Sequence, residues 1–137
     1  MLDLAVCVGD PRSGALAERL GLPLAGAGQP HALLLRYDDA GLCLQQSDSG
    51  KPLVVRADWL AGKAAYRQGQ SEMVSRALSL SKLDNPHVVD ATAGLGRDTV
   101  VLARLGAQVT ALEKHPVAFA LLADAYERAQ RDEAACE

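Results

Sequence analysis

The rhythm of apolar and polar positions changes near Asn85-Pro86. Before that point it is mixed. "LDLAVCV" predicts a short buried strand, and "SGALAERLGL" predicts a helix with Ser13 as N-cap and Gly21 as its stop. "HALLLRY" and "LCLQQS" flank "DDAG" and predict a hairpin, and "PLVVRAD" predicts a further strand. A glycine-spaced loop, "GKAAYRQGQ", leads to a helix from about Ser71 to Leu80, with Met73, Val74, Ala77, Leu78 and Leu80 on or near one face. Beyond Pro86 the order becomes regular. "HVVDAT" is a strand, "GRDTVVLARLG" a helix ended by Gly106, "AQVTALE" a strand, and "PVAFALLADAYERAQRDEA" a helix with Pro116 in its first turn. Such a tight βαβα order predicts two neighbouring parallel strands joined by a right-handed crossover. The expected organisation is an α+β region over residues 1–84 and the first half of a ligand-binding α/β domain over 85–137.

Composition narrows the class. The chain has 137 residues, is 49% hydrophobic and carries a formal net charge of -3, the profile of a globular protein with no overall attraction to nucleic acid. Any such binding needs a local basic patch. Cys7, Cys43 and Cys136 are odd in number and far apart, so neither a zinc site nor a disulfide framework is expected. "MLDLAVCVGD" lacks a positive n-region, and no apolar run approaches a membrane span, so a cytoplasmic protein without membrane partners is expected.

The chemistry concentrates in "VVDATAGLGRD", Val88 to Asp98. In α/β folds, ligands bind beyond the C-terminal strand ends, where a helix N-terminus presents backbone N–H groups. Gly94 and Gly96 allow close approach of backbone and ligand. The dinucleotide fingerprint requires Gly or Ala at position 99, where this chain has Thr99, and Asp90 would repel a diphosphate. An acid there suits a ligand with an amino group or positive charge, and S-adenosylmethionine, which has an ammonium, a sulfonium and a ribose, fits. Glu113 closes the next strand 23 positions after Asp90, placed to accept ribose hydroxyl protons. Each residue also has a plainer reading. Asp90 caps the turn, Glu113 is a solvated strand end, and Arg97-Asp98 is a surface pair at a helix start.

"VVDATAGLGRD", followed by "LEKHPVAFALL", closely resembles the bacterial small-subunit (16S) ribosomal RNA guanine-N2 methyltransferases of the J type. The similarity is strong from Lys63 to Ala123, includes "AYRQGQSEMVSRAL", and is weaker before. The resemblance implies a Rossmann-like class I methyltransferase fold, here truncated after the second strand–helix unit and preceded by a small α+β region. It also implies S-adenosylmethionine as cofactor and small-subunit rRNA or the ribosomal subunit as partner. It adds Arg97, Asp98 and Lys114 to the cofactor contacts Asp90, Gly94, Gly96 and Glu113. Lys63, Tyr66 and Arg67 are candidates for RNA or loop contacts, in a loop less basic than the family pattern. The family's Asp/Asn-Pro-x-aromatic catalytic turn has no counterpart, since Pro11, Pro23, Pro30, Pro52, Pro86 and Pro116 all lie in other contexts. Catalytic residues are therefore expected beyond residue 137, and the chain is expected to be an inactive N-terminal portion. The alternatives are a non-catalytic cofactor- or partner-binding module and an NAD-binding Rossmann fragment, the latter disfavoured by Asp90 and Thr99.

Overall fold

A computed structural model describes residues 3–26, 29–46, 52–59 and 68–135. The chain forms two compact units, Met1–Ala57 and Asp58–Glu137. This boundary lies earlier than the change of rhythm at Pro86. The helix and turn preceding Pro86 share a core with the second unit: Leu80, Leu102 and Ala107 cluster, with Val74, Val88 and Val109 packed against them.

In the first unit, strands β1 (Leu4–Cys7), β2 (Leu24–Ala25), β3 (Leu33–Asp38), β4 (Gly41–Gln46) and β5 (Val54–Val55) form one sheet of order β2-β1-β3-β4-β5. β1 runs parallel to both β2 and β3, whereas β3–β4 and β4–β5 are antiparallel. The hairpin lies where "DDAG" places it, with Asp38 paired to Gly41. Helix α1 (Ser13–Leu20) connects β1 to β2 and buries Leu16 and Ala17. Ser13 does not cap α1 as expected. It is the first helical residue, and its hydroxyl is buried without a partner among the described residues; the N-cap position is Arg12, with no side-chain cap bond, and the Arg12 N–H donates to the Asp10 carboxylate at 2.9 Å. Gly21 does end the helix, in a left-handed conformation that lets the Leu22 N–H reach the Ala17 carbonyl. β2, two residues long, carries too short a pattern to be legible in the sequence.

In the second unit, α2 (Gln68–Ala77) begins and ends about one turn earlier than its apolar pattern suggests. Ser79 takes a left-handed backbone (φ 53°), and a short 3-10 turn at Leu80–Lys82 delivers Leu80 to the core, while Met73 stays 71% exposed. β6 (His87–Asp90), α3 (Arg97–Arg104), β7 (Gln108–Ala111) and α4 (Pro116–Ala135) then follow in the expected order. β6 and β7 are parallel, in register from His87↔Gln108 to Asp90↔Ala111. Both strands bury one face by alternation: Val88 and Val109 turn inward while Val89 and Thr110 are exposed. α3 buries Val100, Val101 and Leu102, and Gly106 (φ 88°) follows its last residues, with the Ala107 N–H returning to the Leu102 carbonyl. α4 buries Val117, Ala120, Leu121, Leu122 and Ala125. Asp124 lies buried among them and accepts from the Arg128 guanidinium at 2.8 Å.

Candidate functional site

The in-register end of β6 and β7 sets Asp90 beside Ala111, so the segments leaving both strands run side by side. They are stitched together directly. The Leu112 N–H donates to the Asp90 carbonyl at 2.8 Å, and the Ala93 N–H donates to the Leu112 carbonyl at 2.9 Å. The turn from Ala91 to Gly96 then reverses the chain into α3. Both glycines there have positive φ, 55° at Gly94 and 76° at Gly96, which any side chain would strain. Their surroundings differ. A Cβ on Gly94 would meet nothing within 4 Å, whereas one on Gly96 would lie 2.6 Å from both Leu122 Cδ1 and Trp59 Cζ2. Gly94 is open to a ligand, and Gly96 is packed from behind.

The two acids hold this turn from either side. Asp90 accepts the Thr99 hydroxyl proton at 2.6 Å, and its other oxygen accepts the Thr92 N–H at 3.3 Å. Thr99 is buried, on the first turns of α3. The residue that departs from the dinucleotide fingerprint is thus the one that anchors Asp90. Glu113 is half-buried and accepts two backbone protons, from Gly94 at 2.8 Å and from His115 at 2.7 Å. The His115 and Gly94 N–H groups hold the Glu113 carboxyl below its usual range, so it is ionised at neutral pH. With about four acceptor sites, the carboxylate keeps capacity beyond these bonds.

These bonds change the expected chemistry of the turn. The N–H groups of Thr92, Ala93, Gly94 and Gly96 all have partners within the protein. A diphosphate cradle needs such donors free to face the ligand. Here they organise the loop around two carboxylates. The resulting surface offers acceptors beside an open glycine, which suits hydroxyl and ammonium donors. The residues present fit S-adenosylmethionine, through its amino group and ribose diol, better than a dinucleotide.

Of the expected site residues, the structure brings Asp90, Gly94, Gly96 and Glu113 into one hydrogen-bonded cluster. Arg97 and Asp98 are exposed on the first turn of α3, where Asp98 complements the helix dipole, and Lys114 is exposed next to Glu113. Lys63, Tyr66 and Arg67 lie outside the described residues. Sequence reading missed Trp59. Its indole N–H donates to the Leu95 carbonyl at 3.0 Å, its carbonyl accepts from the Arg104 guanidinium at 3.1 Å, and its ring meets Tyr126 edge-on with centroids 6.3 Å apart. A lone tryptophan far from the glycine turn in sequence carries no local signal of this. Thr99 was legible only as a departure from a motif.

Comparison with known proteins shows the family. Residues 15–137 match the family described as "Putative SAM-dependent methyltransferase". The chain is similar to the Ribosomal RNA small subunit methyltransferase J of Thioalkalivibrio sulfidiphilus, 47% identical over 125 residues that cover 88% of this chain and 49% of the relative. It is similar to the protein of the same name from Tolumonas auensis, 41% identical over 136 residues, covering 96% of this chain and 55% of the relative. The fold is similar to the crystal structure of a SAM-dependent methyltransferase from Neisseria gonorrhoeae, with a TM-score of 0.68, 34% identity, and 91% of this chain and 52% of that one covered. The chain spans about half the length of the curated relatives it matches.

Proposed function

This chain belongs to the family of SAM-dependent methyltransferases, and on that premise we propose that it supplies the cofactor-binding half of an rRNA methyltransferase acting on the exocyclic N2 of a guanine in the small subunit. β6–α3–β7–α4 then represents the opening half of a Rossmann-like class I methyltransferase domain, and the protein works in the cytoplasm. The observation that carries the reading is Glu113: an ionised strand-end carboxylate, fixed by the Gly94 and His115 N–H groups beside an open glycine. Its remaining lone pairs accept the two ribose hydroxyls. Asp90, oriented by Thr99, faces the amino-acid end of the cofactor. Gly94 lets the ligand approach the backbone. Arg97, Asp98 and Lys114 form the exposed rim, and Lys63, Tyr66 and Arg67 precede the site as candidates for RNA contact. When bound, S-adenosylmethionine would supply an electrophilic sulfonium methyl: a new N–C bond to the guanine amine would form as the methyl C–S bond breaks, its electron pair staying on sulfur as a thioether and the amine giving up one proton to solvent.

Calorimetric titration with S-adenosylmethionine and with NAD tests the assignment. S-adenosylmethionine is expected to bind the more tightly. Tighter NAD binding would overturn it.

A further inference from the structure

The cofactor turn is held at two kinds of point. Asp90 and Glu113 hold its strand side, as described. The other side is the Leu95–Gly96 peptide, whose carbonyl and N–H point in opposite directions because the unit is planar and trans. Both ends of that unit are occupied. The Gly96 N–H donates to the Ala93 carbonyl at 2.8 Å, and the Leu95 carbonyl accepts the Trp59 indole N–H at 3.0 Å. The indole ring also fills the space behind Gly96, with Cζ2 and Nε1 at 2.6 and 2.9 Å from where a Cβ would stand. Trp59 is itself fixed. Arg104, at the far end of α3, donates to its carbonyl, and Tyr126 of α4 packs on its ring.

From this geometry we infer that Trp59 is a positioning residue of the cofactor site. It clamps the Leu95–Gly96 peptide, and through it keeps Gly94 and the Glu113 carboxylate in register for the ligand. Planarity makes the effect specific. With its carbonyl unclamped, the Leu95–Gly96 unit is free to rotate, which breaks the Gly96–Ala93 bond. The Ala93–Gly94 peptide, whose carbonyl accepted that bond, then loses the geometry in which its own N–H reaches Glu113. The ligand part of this inference rests on the S-adenosylmethionine reading, while the clamp itself does not.

The experiment therefore has two arms, run on the 137-residue chain and its W59A and W59F variants. The first is amide hydrogen exchange followed residue by residue without ligand. In W59A, exchange at Gly96 and Gly94 is expected to accelerate about tenfold or more, with core amides such as Leu102 unchanged; W59F, which keeps a ring behind Gly96, is expected to lie between. Wild-type protection at both glycines in W59A would overturn the clamp, whatever happens with ligand. Should W59A fail to fold, W59F decides, and unchanged exchange at Gly96 in that variant would overturn it. The second arm is calorimetric titration with S-adenosylmethionine. W59A is expected to bind about tenfold more weakly, with most of the affinity restored in W59F. Equal affinity in W59A and wild type would overturn the positioning role. A wild-type chain that binds no S-adenosylmethionine counts against the cofactor reading alone, because the exchange arm still decides the clamp. Trp59 is the single tryptophan of the chain, so its emission gives an independent readout in the wild type, and saturating S-adenosylmethionine is expected to change it.

Discussion

Gly94 and Gly96 are two positions apart and both adopt positive φ, yet alanine at each tests a different quantity. At Gly94 the added methyl enters open space, so the cost to folding is the left-handed strain alone, about 1–2 kcal/mol. At Gly96 the same strain is joined by overlap with the Trp59 ring and Leu122, which adds about 1–3 kcal/mol of overpacking. Denaturant unfolding of both variants is therefore expected to show G96A as clearly the less stable, and equal stabilities would mean that the packing behind Gly96 yields readily. G94A should instead lose cofactor affinity out of proportion to its stability, because its methyl would stand in the open space where the proposed ligand approaches. Glu113, read from sequence as a ribose acceptor or a solvated strand end, is a strand-end charge whose bonds to the Gly94 and His115 N–H groups also organise the turn. E113A should weaken S-adenosylmethionine binding about tenfold or more, the effect of losing hydrogen bonds to a charged group, and E113Q, which keeps one acceptor oxygen, should lose less. Calorimetry separates the two variants, and equal affinity of E113A and wild type would remove Glu113 from the site. In the first unit, Asp38 gives a pH test. Hydrogen bonding from the Arg56 guanidinium at 2.6 Å holds its carboxyl at about 2, below the ordinary 3.8. A lowered folded pKa means that the stabilisation is fully present above about pH 4 and is lost as the pH falls towards 2. Its ceiling is about 2 kcal/mol, and less after solvent screening, since Asp38 is 28% exposed. The melting temperature of D38N should fall below wild type at pH 7 and converge with it near pH 2; a gap unchanged across that range would assign the effect to packing.

At the scale of elements, legibility followed local signals. β6, α3, β7 and α4 were readable because each has its own punctuation: a β-branched run ending in Asp90, a glycine turn, Gly106 after α3 and Pro116 opening α4. The same local marks point to most of the hydrogen-bonded cluster proposed as the site, since Asp90, Gly94, Gly96 and Glu113 all sit at strand ends or in the turn between them. What was hidden depends on partners distant in sequence. Ser13 reads as a cap, but the N-cap position falls to Arg12, which makes no side-chain cap bond, and α2 reads as running to Leu80 until the left-handed Ser79 breaks it and the 3-10 turn carries Leu80 inward. Trp59 is tied to the glycine turn 36 residues away, to α3 through Arg104 and to α4 through Tyr126, contacts that no window of sequence contains. The Leu80 cluster makes the hidden connection testable. Leu102, on α3, packs with Leu80 and Ala107. L102A should cost about 2–5 kcal/mol, the range for deleting a buried leucine side chain, and should destabilise the second unit. L80A should cost a comparable amount although its residue lies before Pro86. If L80A leaves the second unit's unfolding unchanged, the turn does not belong to its core.

For the whole molecule, the site's orientation decides what these 137 residues can do alone. Among the described residues β6 and β7 pair only with each other, and their outer face exposes Val89 at 57%. A two-stranded sheet is at the lower limit of independent stability and here relies on the helices packed against its inner face. The groups assembled at the strand ends are carboxylates and backbone, which in the proposed reading grip a ribose and an amino-acid end. None of them is placed to orient a planar guanine with its exocyclic amine in line with a methyl donor, and the Asp/Asn-Pro-x-aromatic turn that serves this in the family the sequence resembles has no match in the chain. Holding two reactants in line is worth about 7–11 kcal/mol of barrier at its largest. The 137-residue chain is accordingly expected to bind S-adenosylmethionine weakly and to transfer no methyl group, whereas a form extended by the segment that the longer relatives possess should bind more tightly and catalyse. Labelled cofactor and unmodified small-subunit RNA, assayed with both forms, test this directly. Transfer by the short chain at a rate near that of the long one would mean that a group already present positions the base. Tyr66 and Arg67, which precede α2, would then be the first residues to substitute.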